Sequence, residues 1–183
     1  MINKKELNAI VCYNGVKYKL PPLLIKAMCF VESSYEPRAF RHEPAFWTNY
    51  LKNNPEWKDK DPAVVSSSYG LMQLMWTTAW GLGFRGTQED LWKPQTNVDL
   101  GTKLLRKLID EVFEKVTLRE YPWLSPLDIA LARYNGGKFK NPISPAALPL
   151  TRLMNLRNIK YVKNVLKNWE ELGNTGEDPC VQG

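Results

Sequence analysis

The sequence is poor in the residues that build disulfide frameworks and metal centres. Its 183 residues include three cysteines, Cys12, Cys29 and Cys180, and a single histidine, His42. Three cysteines without a C-x-x-C pair do not predict a disulfide framework, and one histidine does not predict a zinc site. We therefore expect a buried thiol at Cys29, which lies in an apolar segment, inert thiols at the other two positions, and neither a metal nor another cofactor.

Long apolar runs are also absent. No segment approaches the ~18 apolar residues that suggest a membrane-spanning helix, so we expect no membrane span. The N-terminus, MINKKELNAIVCYNG, is basic, but Asn8 interrupts its apolar part and no small-residue cleavage site follows. These features disfavour a secretory signal. If the target lies outside the cytoplasm, another component must deliver the chain.

Basic residues exceed acidic ones, but they are not clustered. Lys and Arg number 25 against 19 Asp and Glu, which gives a net charge of +6 at pH 7. This charge favours an anionic partner, such as nucleic acid, an acidic membrane face or an anionic polymer. Because the basic residues are scattered, a dedicated nucleic-acid-binding arm is disfavoured, and we expect no nucleic acid as partner.

The chain does contain a series of helical patterns around one apolar core. The clearest is PPLLIKAMCFVES, which is apolar on more than one face and has to end before Pro37. We expect a mainly α fold without a series of strands, in which further helices lie within residues 66–83, 97–116 (with Asn97 as a cap), 125–137 and 158–172. The domain organisation that follows is an N-terminal extension packed on the domain (1–20), the domain itself (21–172) with an inserted lobe (40–65), and a flexible tail (173–183).

The segment VESSYEP, at the end of the first clear helix, carries two carboxylates, Glu32 and Glu36. Glu32 lies in the last turn of a buried helix, where desolvation and the helix dipole both raise the pKa of a carboxyl group. A glutamic acid that stays protonated near neutral pH is suited to general acid catalysis. Glu36 lies beyond the helix end, and we expect it to shape the turn. This segment alone leaves a surface role open for both.

Four later segments extend the pattern of ESSYEP in order: YGLMQLMWTTA, KPQTNVDLG, ARYNGG and YVKNVL. Together the five resemble the lytic transglycosylase domain of the soluble (SLT) type, a goose-type lysozyme-like family of glycoside hydrolases. The resemblance runs from about residue 23 to residue 166. It implies a lysozyme-like helical domain with a substrate groove, and it implies the glycan strands of peptidoglycan as the partner.

The resemblance assigns the chemistry to one carboxylate, because the family's catalytic glutamate matches Glu32. Glu32 would protonate the oxygen of the β-1,4 bond between N-acetylmuramic acid (MurNAc) and N-acetylglucosamine (GlcNAc). As a carboxylate it would then take the proton of the MurNAc 6-hydroxyl, which closes a 1,6-anhydro ring. The substrate's N-acetyl group would stabilise the intermediate, so a second carboxylate is dispensable.

The resemblance also implies a set of substrate-binding residues. Gln73 and Met75 match groove-lining positions, although core packing is the alternative for Met75. Tyr134 matches a tyrosine that orients the catalytic carboxyl or the N-acetyl group, with a buried phenol as its alternative. Asn135 would bond backbone or sugar. Ser68 would reach the cleft, and its neighbours at 66 and 67 are equally open to that role.

Three positions depart from the family's pattern. Glu36 stands where Asn or Asp is usual, and Trp76 replaces a customary proline, where it would add a wall to the groove. Arg157 lies near a position that is often glutamate, which puts one supporting contact in doubt. None of these departures affects Glu32.

The inserted lobe keeps a different mechanism open. If one of its acids, Glu43, Asp59 or Asp61, faced Glu32 across ~6.5–9.5 Å, it would activate a water molecule, and the enzyme would be a muramidase in the manner of goose-type lysozymes. The lobe's aromatic residues, Trp47, Tyr50 and Trp57, would either extend the sugar groove or only pack the lobe.

Two non-enzymatic classes also remain at this stage. One is a peptidoglycan-binding structural module that has kept the scaffold, and the other is a basic nucleic-acid binder. For the leading interpretation we expect a monomer that acts on the cell wall or in the periplasm. Without an evident signal, such a domain would suit a phage lysis protein, a virion-associated enzyme or a bacterial enzyme exported by another route.

Overall fold

The computed structural model describes residues 1–115, 125–136, 156–176 and 178–181, and it confirms a mainly helical fold. The helices are α1 (Lys4–Tyr18), α2 (Pro22–Ser33), α3 (Pro44–Phe46) continued by a π-helical turn (Trp47–Leu51), α4 (Pro62–Val65), α5 (Trp76–Gly81), α6 (Gln88–Trp92), α7 (Pro94–Lys115), α8 (Pro126–Gly136) and α9 (Leu156–Asn174). The strands are β1 (Phe40–His42), β2 (Ser67–Tyr69) and β3 (Leu74–Met75). Within the described ranges, no helix has both the length and the apolar character needed to cross a membrane.

Helix α2 forms the centre of the main core. Pro22 occupies its first turn, where a missing N–H costs nothing, and residues 24–29 are almost fully buried. The helix packs against α1 and α9. It ends at Ser33 because Ser34 turns into the left-handed region (φ 51°). The Ser34 N–H donates to the carbonyl oxygen of Phe30 at 2.8 Å, and the Tyr35 N–H donates to that of Cys29 at 3.4 Å. The predicted helix end between Glu32 and Glu36 is confirmed.

Helix α7 is the long helix predicted from the leucine periodicity, but it begins at Pro94 instead of Asn97. The predicted capping role of Asn97 is wrong. Its side chain is fully buried, where Oδ1 accepts the N–H of Met72 at 2.8 Å and Nδ2 donates to the carbonyl oxygens of Tyr69 and Leu91. An amide that faces the core bonds whatever backbone it meets there, and sequence spacing does not reveal that partner.

Residues 66–83 do not form one helix, contrary to expectation. They form β2, a tight turn, β3 and only then α5, and β2 pairs antiparallel with both β1 and β3. The turn needs left-handed backbone at Gly70 (φ 73°) and Gln73 (φ 44°), which breaks a helical path. A side chain at position 70 would also meet Asn97 Nδ2 at 2.4 Å, so glycine is required there.

The inserted lobe has a small core of its own. Leu51, Trp57 and Val65 are buried together, with half-buried aromatic residues around them. Asp61 caps α4 by accepting the N–H of Ala63 at 2.8 Å. The lobe therefore packs as a satellite cluster beside the sheet.

A disulfide bond joins Cys12 of α1 to Cys180, across 168 residues of sequence. The expectation of inert thiols at these two positions is wrong, whereas the buried free thiol at Cys29 is confirmed. Because the two cysteines meet only in the folded chain, their spacing does not predict the bond. Residues 178–181, in the predicted flexible tail, are thus tied covalently to α1, which itself places Leu7, Ile10 and Val11 in the main core.

Candidate active site

Glu32 lies in the last turn of α2, half-buried at the edge of the main core. The helix presents Cys29 one turn earlier, and the negative charge of Glu32 acts on that thiol. Burial raises the pKa of Cys29 well above its ordinary value, and the nearby Glu32 raises it further. The carboxyl group thus lies next to a completely buried thiol that stays neutral.

Tyr134, in the last turns of α8, brings a phenol to the same place. Its hydroxyl donates to the carbonyl oxygen of Met72 at 2.9 Å. Burial raises the pKa of Tyr134 well above its usual value, with Glu32 as the next cause. Helix α7 approaches closely here because it has glycine at position 101, where a Cβ atom would meet Met72 Sδ at 2.6 Å and the Tyr134 hydroxyl at 3.0 Å.

Tyr161, on α9, completes the group and was given no role by the sequence. It is 7% exposed, and among the described residues its hydroxyl has no partner with strict hydrogen-bond geometry. Glu32 is nevertheless near enough to interact with it, since burial first and Glu32 second raise the pKa of Tyr161 well above its ordinary value. The YV segment on an amphipathic helix was the available signal. A buried phenol that lacks a hydrogen-bond partner can donate to a bound ligand, or to the Glu32 carboxylate after a small movement of that side chain.

Ser33 and Gln73 fix the turn between β2 and β3 against the end of α2. Ser33 Oγ donates to the carbonyl oxygen of Leu71 at 2.9 Å. Gln73 is half-exposed, and its side-chain amide donates back to the carbonyl oxygen of Gly70 at 3.1 Å. Gln73 remains a proposed groove residue, with its amide held by the turn itself.

Ser68 and Met75 lie directly opposite each other on β2 and β3, so their side chains share one face of the sheet. Ser68 is 1% exposed, and Met75 is half-buried. The hydroxyls of Ser66 and Ser67 instead donate to the carbonyl oxygens of Pro62 and Ala63, respectively, both at 2.6 Å. Ser68 is therefore the serine of the three that shares a sheet face with Met75.

Asn135 follows Tyr134 on α8, and its Nδ2 is buried without a hydrogen-bond partner among the described residues. An unpaired amide donor beside Tyr134 is consistent with the proposed contact to backbone or sugar. Asn135 stays a proposed substrate-binding residue.

The acids outside the α2 end have other structural roles. Glu36 accepts the N–H of Arg38 at 3.1 Å and pairs with the Met1 amino group at 2.8 Å, so it shapes the turn as expected. In the lobe, Glu43 pairs with Arg41 at 2.6 Å, and Asp61 caps α4. The departure at position 157 lies outside the described side chains.

Comparisons with known proteins identify the family and support the fold. The family model described as the transglycosylase SLT domain matches residues 9–142. A solved structure of an inactive mutant of the lytic transglycosylase Slt from Pseudomonas aeruginosa is similar, with 19% identity and a TM-score of 0.59. The match covers 93% of this chain and 24% of the Slt chain, so the present chain spans about a quarter of that protein's length. The search of curated proteins finds no match.

Proposed function

The chain belongs to the transglycosylase SLT domain family, and on that premise we propose that it is a peptidoglycan lytic transglycosylase. It cleaves the β-1,4 bond between MurNAc and GlcNAc and leaves a 1,6-anhydroMurNAc end. The observation that carries the proposal is the position of Glu32, at the end of the buried helix α2 and in electrostatic contact with two buried phenols, Tyr134 and Tyr161.

In the proposed first step, Glu32 acts as the general acid. Its proton passes to the glycosidic oxygen as the bond from that oxygen to the MurNAc anomeric carbon breaks. Apolar burial around Cys29 and the C-terminal end of the α2 dipole favour the protonated carboxyl that this step requires. The N-acetyl group of MurNAc stabilises the positive charge that develops on the anomeric carbon.

In the second step, Glu32 acts as the general base. The MurNAc 6-hydroxyl bonds the anomeric carbon and gives its proton to the Glu32 carboxylate, so the acid is regenerated and no water is consumed. One residue that serves first as acid and then as base follows the logic of retaining glycosidases. The phenols of Tyr134 and Tyr161 stay neutral because burial raises their pKa values. Tyr134 keeps its hydrogen bond to the Met72 carbonyl oxygen, and Tyr161 is proposed to donate to the Glu32 carboxylate.

The neighbouring residues are proposed to bind the glycan strand. Met75 and Ser68 contribute from the sheet, Gln73 from the turn before β3, and Tyr134 and Asn135 from α8. The chain acts on cell-wall peptidoglycan, and we propose that it works as a monomer without a nucleic-acid partner. Its positive net charge favours retention on an anionic wall.

The mass of the released muropeptides tests this proposal. Purified peptidoglycan is digested, and the products are weighed before and after borohydride reduction. We expect anhydroMurNAc ends, each one water lighter than a reducing end and inert to borohydride. Reducing ends would instead indicate the muramidase mechanism, and retention on the wall without soluble product would indicate a binding module.

A further inference from the structure

A cavity of about 390 Å³ lies between the inserted lobe and α5. Three tryptophans line it, Trp57 from the lobe and Trp76 and Trp80 from α5, together with Val64 and Val65 of α4. We call it the tryptophan cavity. Its volume falls within the range of small-molecule sites, ~300–1,000 Å³.

Contacts among the tryptophans and with neighbouring side chains fix the positions of the indole rings that line the tryptophan cavity. The rings of Trp57 and Trp80 stand nearly perpendicular, at 81° with centroids 5.8 Å apart. The Arg85 guanidinium lies 3.9 Å from the centre of the Trp80 ring and donates to the Trp80 carbonyl oxygen at 2.8 Å. Trp76 packs edge-on against Phe84 at 5.8 Å. The indole rings are therefore preorganised and need little rearrangement when a ligand ring binds between them, which lowers the entropic cost of binding.

Charged residues of both signs complete the lining. Glu56, Lys60 and Asp61 are exposed at the cavity, and Asp61 uses one oxygen to cap α4. Glu56 is thus available as an acceptor and Lys60 as a donor. Aromatic walls with nearly balanced charges match a neutral ring that has an apolar C–H face and polar edges. A pyranose sugar has this form, whereas a strongly charged ligand would meet opposing charges.

The cavity begins one residue beyond Met75, which the proposed function assigns to substrate binding. Met75 is the N-cap of α5, and Trp76, which follows it directly, lines the cavity. A glycan strand that contacts Met75 therefore passes close to the start of α5, beside the cavity. We propose that the tryptophan cavity binds an N-acetylhexosamine unit of the strand, as a secondary sugar site supplied by the inserted lobe. The identity of the sugar rests on the proposed function, but its binding is measured separately.

The test is a titration with N-acetylchitotetraose in the Glu32→Gln background, where the proposed reaction is blocked. Indole N–H signals are followed by NMR and assigned with Trp57→Phe, Trp76→Phe and Trp80→Phe variants. We expect the three signals to shift on saturation. The Glu56→Ala/Lys60→Ala variant, which alters only exposed side chains, should weaken binding at these signals at least tenfold. The charge-matched control is Lys58→Ala/Asp59→Ala, on the same loop, and it should leave the affinity unchanged.

Two results would overturn the proposal. In one, the tetrasaccharide leaves the three indole signals unshifted, or it shifts them with the same affinity in the double variant at the cavity. In the other, the cavity signals respond to a lysine-containing tripeptide, as a mimic of the wall's peptide stem, and not to the sugar. Peptidoglycan digestion by the unmutated chain remains a separate measurement. If that digestion yields no anhydroMurNAc ends but the sugar still binds in the cavity, the result would contradict the proposed function and not the proposed sugar site.

Discussion

The end of α2 and the inserted lobe present polar groups in opposite ways. Around Glu32, helices from distant parts of the chain enclose one half-buried carboxyl with phenols that are held in place by the main core. In the lobe, Asp59 and Asp61 are exposed, and the partly exposed Glu43 is paired with Arg41. Burial raises the pKa values of the thiol and phenols in the first region, which agrees with the proton transfers proposed there, whereas the exposed side chains of the second region suit the proposed contacts with substrate.

The largest effect on activity is expected from a substitution at Glu32, in the region at the end of α2. Glu32→Gln keeps the shape of the side chain but removes the proton that the first step transfers, so activity on peptidoglycan should fall by roughly 10²–10⁴-fold. Release of soluble muropeptides is the measurement, with thermal unfolding to show that the fold is kept. Glu36→Gln is the matched control, because Glu36 only shapes the turn, and it should stay within about twofold of the unmutated chain. A fully active Glu32→Gln variant would exclude both glycosidase mechanisms.

The contrast also explains how much of the site the sequence predicts. The helix around Glu32 and the cap of α8 follow from local rules: Ser125 and Asp128 bond each other's N–H groups reciprocally at 3.1 Å, as the predicted capping by Ser125 requires. Tyr161 joins the site only because α9 packs on α2, across more than 120 residues of sequence. Local sequence patterns predict secondary-structure elements, but they say little about which side chains from distant parts of the chain come into contact.

The strands and the disulfide bond show the same limit. Leu71, Leu74 and Met75 have a helical spacing, but the β2–β3 turn wins because Asn97 satisfies its buried backbone groups from α7. The short strands carry too few residues for their alternation to be recognised. Cys12 and Cys180 likewise become neighbours only after α1 and the 178–181 segment have packed.

Reduction of the disulfide should give the next largest effect, on the stability of the main core. The bond closes a loop of 168 residues, and the chain-entropy model assigns about 5 kcal/mol to a loop of that length. Denaturant unfolding with and without a reductant should show a lower midpoint in the reduced chain. Cys12→Ser/Cys180→Ser should be insensitive to the reductant, and Cys29 should not respond because it is buried and unpaired. An unchanged midpoint in the unmutated chain would contradict a stabilising bond.

The Tyr161→Phe variant tests whether the buried phenol on α9 affects the Glu32 carboxyl during the reaction. If the phenol donates to the Glu32 carboxylate as the reaction proceeds, its loss should slow the reaction about tenfold, which corresponds to ~1.4 kcal/mol. Because a donor favours the charged carboxylate, its removal should raise the pKa of Glu32 and move the alkaline limb of the pH–rate profile to higher pH. Tyr50→Phe, at a tyrosine that is 66% exposed in the lobe, is the control and should leave rate and profile unchanged. A slower enzyme with an unmoved profile would indicate a purely structural role.

The two buried phenols also predict a stability difference at high pH. Burial is the first cause that raises the pKa values of Tyr134 and Tyr161, so the folded chain holds these protons after the unfolded chain has lost them. Their contribution is complete below the unfolded value of about 10 and is lost as the pH rises above it. The free energy of unfolding should therefore fall between pH 9 and pH 11. The slope should be smaller in Tyr134→Phe/Tyr161→Phe and unchanged in Tyr50→Phe. Equal slopes in all three chains would contradict the prediction.

The smallest effects are expected from the acids of the lobe, where the muramidase alternative would require a large one. Glu43 is paired with Arg41, Asp61 accepts the Ala63 N–H at the start of α4, and Asp59 is exposed. Glu43→Gln, Asp59→Asn and Asp61→Asn should therefore each change the rate less than about twofold and leave the anhydro product unaltered. Asparagine is as good an N-cap as aspartate, so the last variant keeps α4 and isolates the charge. Product mass and initial rate are measured together. If one of these variants abolished turnover and the unmutated chain released reducing ends, the lobe would supply the base for a water molecule. The division between a buried catalytic carboxyl and exposed binding residues would then fail.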